Sequence, residues 1–139
     1  MRAIAVAAVF SLAAAPALAA DPVEGEWLTQ SGSGKVRIGP CPSSADNLCG
    51  AISWLRPADA KATDRNNPDP KLKSRPIMGM PMLWGFKQAG PGKWSGGKIY
   101  DPNSGKTYDS KLTANGNGTL KVEGCIAILC QAQTWKRGS

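Results

Sequence analysis

The chain of 139 residues is basic and rich in residues that interrupt regular structure, with 17 Lys and Arg against 10 Asp and Glu, 16 Gly and 11 Pro. Its length suits one domain, and this density of Gly and Pro excludes long helices beyond the N-terminal segment. The sequence contains no His, so it lacks both the usual general base of hydrolytic enzymes and a common zinc ligand.

The N-terminal segment has the three parts of a secretory signal peptide. Arg2 supplies the positive charge, residues 4–12 are apolar, and Ala17-Leu18-Ala19 matches the small-x-small pattern that precedes cleavage. We expect a signal peptide over residues 1–19, cleaved near Ala19 or Ala20. A membrane anchor is the alternative, but the apolar stretch is interrupted and marginal in length for a span.

Residues 21–139 form the expected mature chain, a single β-barrel domain that is periplasmic or secreted and has no transmembrane span. Four Cys in an exported chain predict two disulfides, for which three connectivities are possible. The spacing favours the local pairs Cys41–Cys49 and Cys125–Cys130. A zinc site is disfavoured, because neither pair shows the close C-x₂-C spacing.

Turn-forming residues divide the mature chain into about eight short segments. The predicted strands cover 23–29, 35–38, 50–56, 76–86, 93–100, 106–114, 120–123 and 129–136. The third strand is expected to carry Ile52 and Trp54 on one face, and Asn115-Gly116-Asn117-Gly118 is the strongest hairpin signal. Because most connections have hairpin length, we predict an all-β, eight-stranded antiparallel up-and-down barrel. An open sandwich is the alternative.

Residues 57–75 form a connection of a different kind. They contain eight charged residues and three Pro and show no apolar period. A loop of this length inside a small domain is uncommon and is often a lid or a binding loop. We therefore expect residues 57–75 to be a lid or a binding loop.

Six short motifs resemble those of one known family. They are Gly25-Glu26-Trp27, Cys49-Gly50, Asn67-Pro68-Asp69, Gly97-Lys98-Ile99-Tyr100-Asp101-Pro102, Ser104-Gly105-Lys106-Thr107-Tyr108 and Gln133-Thr134-Trp135-Lys136-Arg137. Together they resemble the domain-of-unknown-function 2147 family of small exported bacterial proteins, over almost the whole mature chain. The resemblance implies a lipocalin-like or calycin-like barrel but no particular chemistry.

The same resemblance implies a structural role for three residues. Lipocalin-type barrels begin with a Gly-x-Trp motif, here Gly25 and Trp27, and place an Arg from a late strand over the Trp ring. Arg137 is the matching residue. Its guanidinium over Trp27 would be a cation–π contact that ties the chain ends together.

Catalysis and metal binding are not expected. The carboxylate pairs Asp64 with Asp69 and Asp101 with Asp109 lie beside Pro, Asn and Gly, where Asp more often forms turns than performs acid–base chemistry. One alternative is Ca²⁺ bound by oxygens of Asp64, Asn66, Asn67 and Asp69. Another is Cu(I) held by thioethers at alternate positions of one strand, those of Met78, Met80 and Met82. We predict no enzyme activity, no cofactor and no resident metal.

A small apolar or amphipathic ligand is the expected partner, since an eight-stranded barrel is just wide enough to hold one small molecule. The candidate lining residues are Trp54, Met78, Met80, Met82, Trp84, Tyr100 and Tyr108. The alternative is a barrel filled by these large side chains that acts as a protein-interaction or envelope-maintenance module. Nucleic acid is not an expected partner, because the basic residues form no stripe interleaved with aromatic residues.

Overall fold

The computed structural model of the protein describes residues 21–138, together with residues 3, 5 and 7. The predicted signal peptide over residues 1–19 and its cleavage site near Ala19 or Ala20 therefore lie outside the described residues, apart from those three positions. Within the part that is described, no helix is long and apolar enough to cross a membrane.

Eight antiparallel strands form a closed barrel in which each strand pairs with the next along the chain. They are β1 (Gly25–Leu28), β2 (Gly34–Cys41), β3 (Ser44–Leu55), β4 (Pro81–Gly90), β5 (Lys93–Asp101), β6 (Lys106–Ala114), β7 (Thr119–Ile126) and β8 (Leu129–Arg137). The barrel closes where Trp27 and Leu28 of β1 pair with Arg137 and Lys136 of β8. The predicted eight-stranded up-and-down barrel is thus confirmed.

The connections alternate between the two ends of the barrel, because every strand is antiparallel to its neighbours. One end, the closed end, carries the β2–β3, β4–β5 and β6–β7 turns together with residues 21–24. The other, the open end, carries the β1–β2, β5–β6 and β7–β8 turns and the β3–β4 loop, residues 56–80. Two short 3-10 turns, Pro57–Asp59 and Pro70–Leu72, interrupt this loop.

The core fills the barrel toward its closed end. Large side chains with almost no solvent exposure occupy it: Trp27, Phe86, Trp94, Leu112, Leu120 and Trp135. The Phe86 ring lies so close to Gly97 that a Cβ atom there would overlap the ring. Close packing of this kind leaves little space in this half of the barrel.

Arg137 joins the two ends of the domain at the closed end. Its guanidinium lies 4.0 Å from the centre of the Trp27 ring, and it donates hydrogen bonds to the carbonyls of Glu24 and Pro22 at 2.6 and 2.8 Å. The Trp27 indole N–H in turn donates to the Val23 carbonyl at 2.8 Å. Gly25 has φ +120°, and a Cβ there would overlap the guanidinium. This explains why Gly precedes the Trp in the motif.

Replacing Arg137 by Lys should lower the free energy of unfolding by about 1 kcal/mol, measured by urea denaturation, since an ammonium cannot stack flat on the ring and reach two carbonyls at once. The matched control is Arg37→Lys on β2, whose largely exposed guanidinium makes only a 3.7 Å ion pair with Glu26. Equal effects of the two substitutions would contradict the proposed role of the stacked guanidinium.

The cysteines form the two local pairs that their spacing favoured, Cys41–Cys49 and Cys125–Cys130. The first closes the β2–β3 hairpin at the closed end. The second joins directly paired residues of β7 and β8 near the open end. Structural disulfides are typical of proteins from oxidising compartments, so the bridges indicate a location outside the cytoplasm.

Candidate ligand site at the open end

A cavity of about 670 Å³ lies between the open end of the barrel and the β3–β4 loop. Its apolar lining comes from barrel strands and from the end of the loop: Val36, Ile52, Leu55, Ile77 and Met82. The first two of these are also members of the buried core. The deeper wall of the cavity is therefore continuous with the apolar interior of the barrel.

Charged side chains line the same cavity, and positive charge exceeds negative. Four are cationic and two are carboxylates: Lys35, Arg56, Lys61, Arg65, Asp59 and Asp101. Asp59 forms an ion pair with Arg56, and the Lys35 ammonium donates to the Gly138 carbonyl at 3.0 Å. Lys61 and Arg65 have no carboxylate within 4.0 Å among the described residues, so the loop side of the cavity carries uncompensated positive charge.

One buried carboxylate fixes the β3–β4 loop to the barrel. Asp64 has 0% exposure and accepts three side-chain hydrogen bonds. Its donors are the Tyr100 hydroxyl at 2.6 Å, the Asn67 amide at 2.9 Å and the Arg75 guanidinium at 3.0 Å. Because Tyr100 belongs to β5 and the other two donors to the loop, Asp64 holds the loop together and against the barrel.

The surroundings of Asp64 shift two pKa values in opposite directions. Burial alone would raise the pKa of Asp64, but the hydrogen bonds from Tyr100, Asn67 and Arg75, with the charge of Arg75, outweigh it and hold the pKa below its ordinary value of 3.8. Burial and the hydrogen bond to this carboxylate raise the pKa of Tyr100 to about 12. At neutral pH the pair is therefore a phenol that donates to an ionised carboxylate.

Tyrosinate absorbance should reveal this pair. We expect a component that titrates near pH 12 in the native protein and is absent from Tyr100→Phe. In Asp64→Asn the same component should move toward 10, because the acceptor has lost its charge. An unchanged titration in Asp64→Asn would contradict the role assigned to the carboxylate.

A second contact holds the loop against the β5–β6 turn. The Asn66 side-chain amide donates to the carbonyls of Pro102 and Asn103 at 3.1 and 3.0 Å. Gly105 lies against the Asn66 carbonyl with φ +70°, and no Cβ atom could be placed there. Asn66, directly before the Asn-Pro-Asp motif of the loop, thus contacts the β5–β6 turn that carries the Ser-Gly-Lys motif.

The predicted lining residues do not come together. Met82 lines the cavity, Tyr100 anchors the loop, and Met80 is 3% exposed in the core. The other four lie apart from the cavity: Trp54, Met78 and Trp84 are among the exposed large apolar residues, and Tyr108 lines a shallow surface depression near β7. Three cationic residues of the loop, which no single motif indicated, line the cavity instead: Arg56, Lys61 and Arg65.

The prediction that Ile52 and Trp54 share one face of β3 was wrong. Val36 pairs with Ile52 and Lys35 pairs with Trp54, with a register shift between the two pairs. Since consecutive residues of β2 point to opposite faces, their partners do so as well. Ile52 is buried, whereas Trp54 is 37% exposed with the Lys35 ammonium 5.3 Å from its ring centre.

The predicted alternation of Met78, Met80 and Met82 along one strand was also wrong. β4 begins only at Pro81, and Met78 precedes Gly79, which has φ +81° in a turn. Of the three thioethers, the first is exposed, the second is buried in the core and the third lines the cavity. The three thioethers therefore lie in three different surroundings.

Three of the four side chains considered for Ca²⁺ already accept hydrogen bonds through an oxygen. The oxygens of Asp64 accept from three side chains, the Asn67 oxygen accepts from the Asp69 N–H at 2.8 Å, and Asp69 accepts from the Lys71 N–H at 3.0 Å. Asp101 likewise accepts from residues of its own turn. Among the described residues there is no group of three or more Cys, Asp or Glu that could hold a metal ion.

Comparison with solved structures finds one with the same architecture. It is described as "Protein HP1028 from the human pathogen Helicobacter pylori belongs to the lipocalin family". The two chains are 25% identical with a TM-score of 0.74, over 84% of this chain and 82% of the other. No curated protein matches the sequence significantly. The closed eight-stranded barrel and this likeness define the protein as a lipocalin-like barrel.

The family itself is shown by the sequence. Residues 25–137, from the first residue of β1 to the last of β8, match the family model described as "Uncharacterized protein conserved in bacteria (DUF2147)". The chain belongs to this family. The resemblance inferred from the motifs is confirmed.

Proposed function

We propose that this protein is an exported, non-enzymatic barrel that binds one small amphipathic molecule in the cavity at its open end. The observation that supports this most directly is the cavity, which combines an apolar wall inside the barrel with excess positive charge on the loop. Its volume lies within the range of about 300–1,000 Å³ that is usual for small-molecule sites.

The arrangement of the lining suggests how a ligand would lie. Its apolar part would contact the partly buried side chains of Leu55, Ile77 and Met82, because removing apolar surface from water is favourable. Its polar or anionic part would face Lys61 and Arg65 on the loop, since buried charge needs a partner of opposite sign. We expect affinity to come mostly from the apolar part and preference among ligands from the charged part.

Periplasmic or secreted localisation is part of the proposal. It is supported by the two disulfides and by the signal-like sequence over residues 1–19. A binding role without catalysis is supported by the carboxylates of Asp64, Asp69 and Asp101, which act as structural hydrogen-bond acceptors.

The test uses the anionic amphiphile 1-anilinonaphthalene-8-sulfonate as a fluorescent probe. Saturable binding of one probe per chain is expected. Ala62→Trp, which places an indole at a lining position, should abolish the binding or weaken it at least about tenfold. Ala132→Trp on β8 is the matched control. Because Ala132 does not line the cavity, this variant should bind the probe as the native protein does. Equal binding by the two variants would refute the proposed site.

A further inference from the structure

The turn between β7 and β8 presents an apolar tip to solvent. Ile126, Ile128 and Leu129 are 69%, 94% and 77% exposed, higher values than those of the other exposed large apolar residues described. The neighbouring turns at the open end have the polar sequences Ser31-Gly32-Ser33 and Asn103-Ser104-Gly105. Residues 126–129, here named the apolar tip, therefore stand out on an end that is otherwise polar.

The tip is held rigidly in this exposed position. Ile126 pairs with Leu129, which leaves a turn of two residues, and the disulfide Cys125–Cys130 joins the next pair. Ala127 has φ +53°, in the left-handed region that non-Gly residues seldom occupy. Such a backbone conformation costs free energy, and exposing apolar side chains to water is unfavourable. An exposed turn with this sequence therefore indicates a partner that covers it.

Positive charge is present on the same end of the barrel as the tip. The β3–β4 loop carries six Lys and Arg against three Asp, and one of the three, Asp64, is fully buried. Lys106, at the start of β6, lines the same surface depression as Ile126 and Ala127. Apolar side chains in front of a cationic surface complement a membrane with anionic headgroups.

We infer that the open end docks on an anionic lipid bilayer, with Ile126, Ile128 and Leu129 inserted among the acyl chains and the loop cations against the headgroups. Insertion of two or three aliphatic side chains gives weak, reversible attachment, and the cations strengthen it. In this orientation the end of the barrel that holds the cavity lies next to the bilayer. Docking itself does not depend on an occupied cavity.

Co-sedimentation with vesicles tests this inference. The native protein should bind vesicles of phosphatidylglycerol and phosphatidylcholine in equal parts, and bind pure phosphatidylcholine much more weakly. Ile128→Ser with Leu129→Ser should reduce binding to the anionic vesicles at least about tenfold, because the inserted apolar surface is lost. This variant should keep native affinity for the fluorescent probe, since neither residue lines the cavity.

A pair of charge reversals tests the attraction between the cations of the open end and the anionic headgroups. Lys71→Glu with Lys106→Glu at the open end should weaken binding at least about tenfold at low salt. The matched control is Lys87→Glu with Lys93→Glu, on the part of the barrel toward the closed end, which should have a much smaller effect.

Absence of binding by the native protein, undiminished binding by the tip variant, or equal effects of the two charge reversals would each overturn the inference. A dimer in solution that the tip substitutions dissociate, without vesicle binding, would assign the tip to a second copy and overturn it as well.

Discussion

Replacing Asp64 by Ala should release the β3–β4 loop. The substitution removes the acceptor of three side-chain hydrogen bonds and leaves the Arg75 guanidinium and the Tyr100 hydroxyl without their buried partner. Removal of one partner from a buried ion pair typically costs about 3–5 kcal/mol, and we expect the lower value because Arg75 is partly exposed. Amide hydrogen exchange at Asn67 and Ile77, whose N–H groups bond within the loop, should report this loss as easier opening.

The control is Asp59→Ala in the same loop. Asp59 pairs with Arg56, but both side chains are substantially exposed, and such pairs contribute about 0–1 kcal/mol. In Tyr100→Phe, the loss of protection from hydrogen exchange should lie between those of the Asp64 and Asp59 variants. This substitution removes one donor and leaves the carboxylate with two others. Comparable protection in the Asp64 and Asp59 variants would show that the buried carboxylate does not fix the loop.

Acid should reproduce the effect of this substitution in the native protein. Because folding lowers the pKa of Asp64 below 3.8, the ionised carboxylate stabilises the folded loop above that pH, and the stabilisation is lost as the pH falls toward the folded value. Protection of the loop amides should therefore decline below about pH 4. In Asp64→Ala this step should be missing, and the two proteins should become alike in acid. A pH-independent difference between them would contradict the assignment.

The strand order could be predicted from the sequence because turn chemistry is local. Gly, Pro, Asn and Asp mark the hairpin turns wherever they cluster, and eight strands joined in this way have few ways to protect their edges other than closure. The local disulfides follow from the same argument, since each closes a hairpin. The family resemblance added the Arg137 contact, which joins residues too far apart in sequence for any local pattern to show.

The lining of the site could not be predicted in the same way. A one-residue register shift opposite Lys35 turns Trp54 away from the face of Ile52, and alternation alone cannot locate such a shift. The buried role of Asp64 depends on Tyr100, 36 residues further along the chain. Turn-forming and buried carboxylates look alike in sequence, and only the length and charge of residues 57–75 indicated that this loop has a role of its own.

Gly97→Ala should be the most damaging single-methyl change in the barrel wall. The position has no left-handed φ, so its cost is steric rather than conformational. The new methyl group would overlap the ring of Phe86, which is 0% exposed and has no space into which to withdraw. Overpacking of a filled core typically costs about 1–3 kcal/mol, and we expect a value near the top of that range in urea denaturation.

Two comparisons separate this steric effect from a general response of strands to Ala. In Gly39→Ala on β2, the added Cβ atom would have no other atom within 4 Å. The free energy of unfolding should therefore be unchanged or slightly higher. Phe86→Leu should recover part of the loss when combined with Gly97→Ala, because the smaller side chain vacates the overlapping volume, and the two effects should then be less than additive. Additive costs would mean that the ring and the glycine do not share this space. The closed half of the barrel would then be less tightly filled than the contact between Phe86 and Gly97 requires.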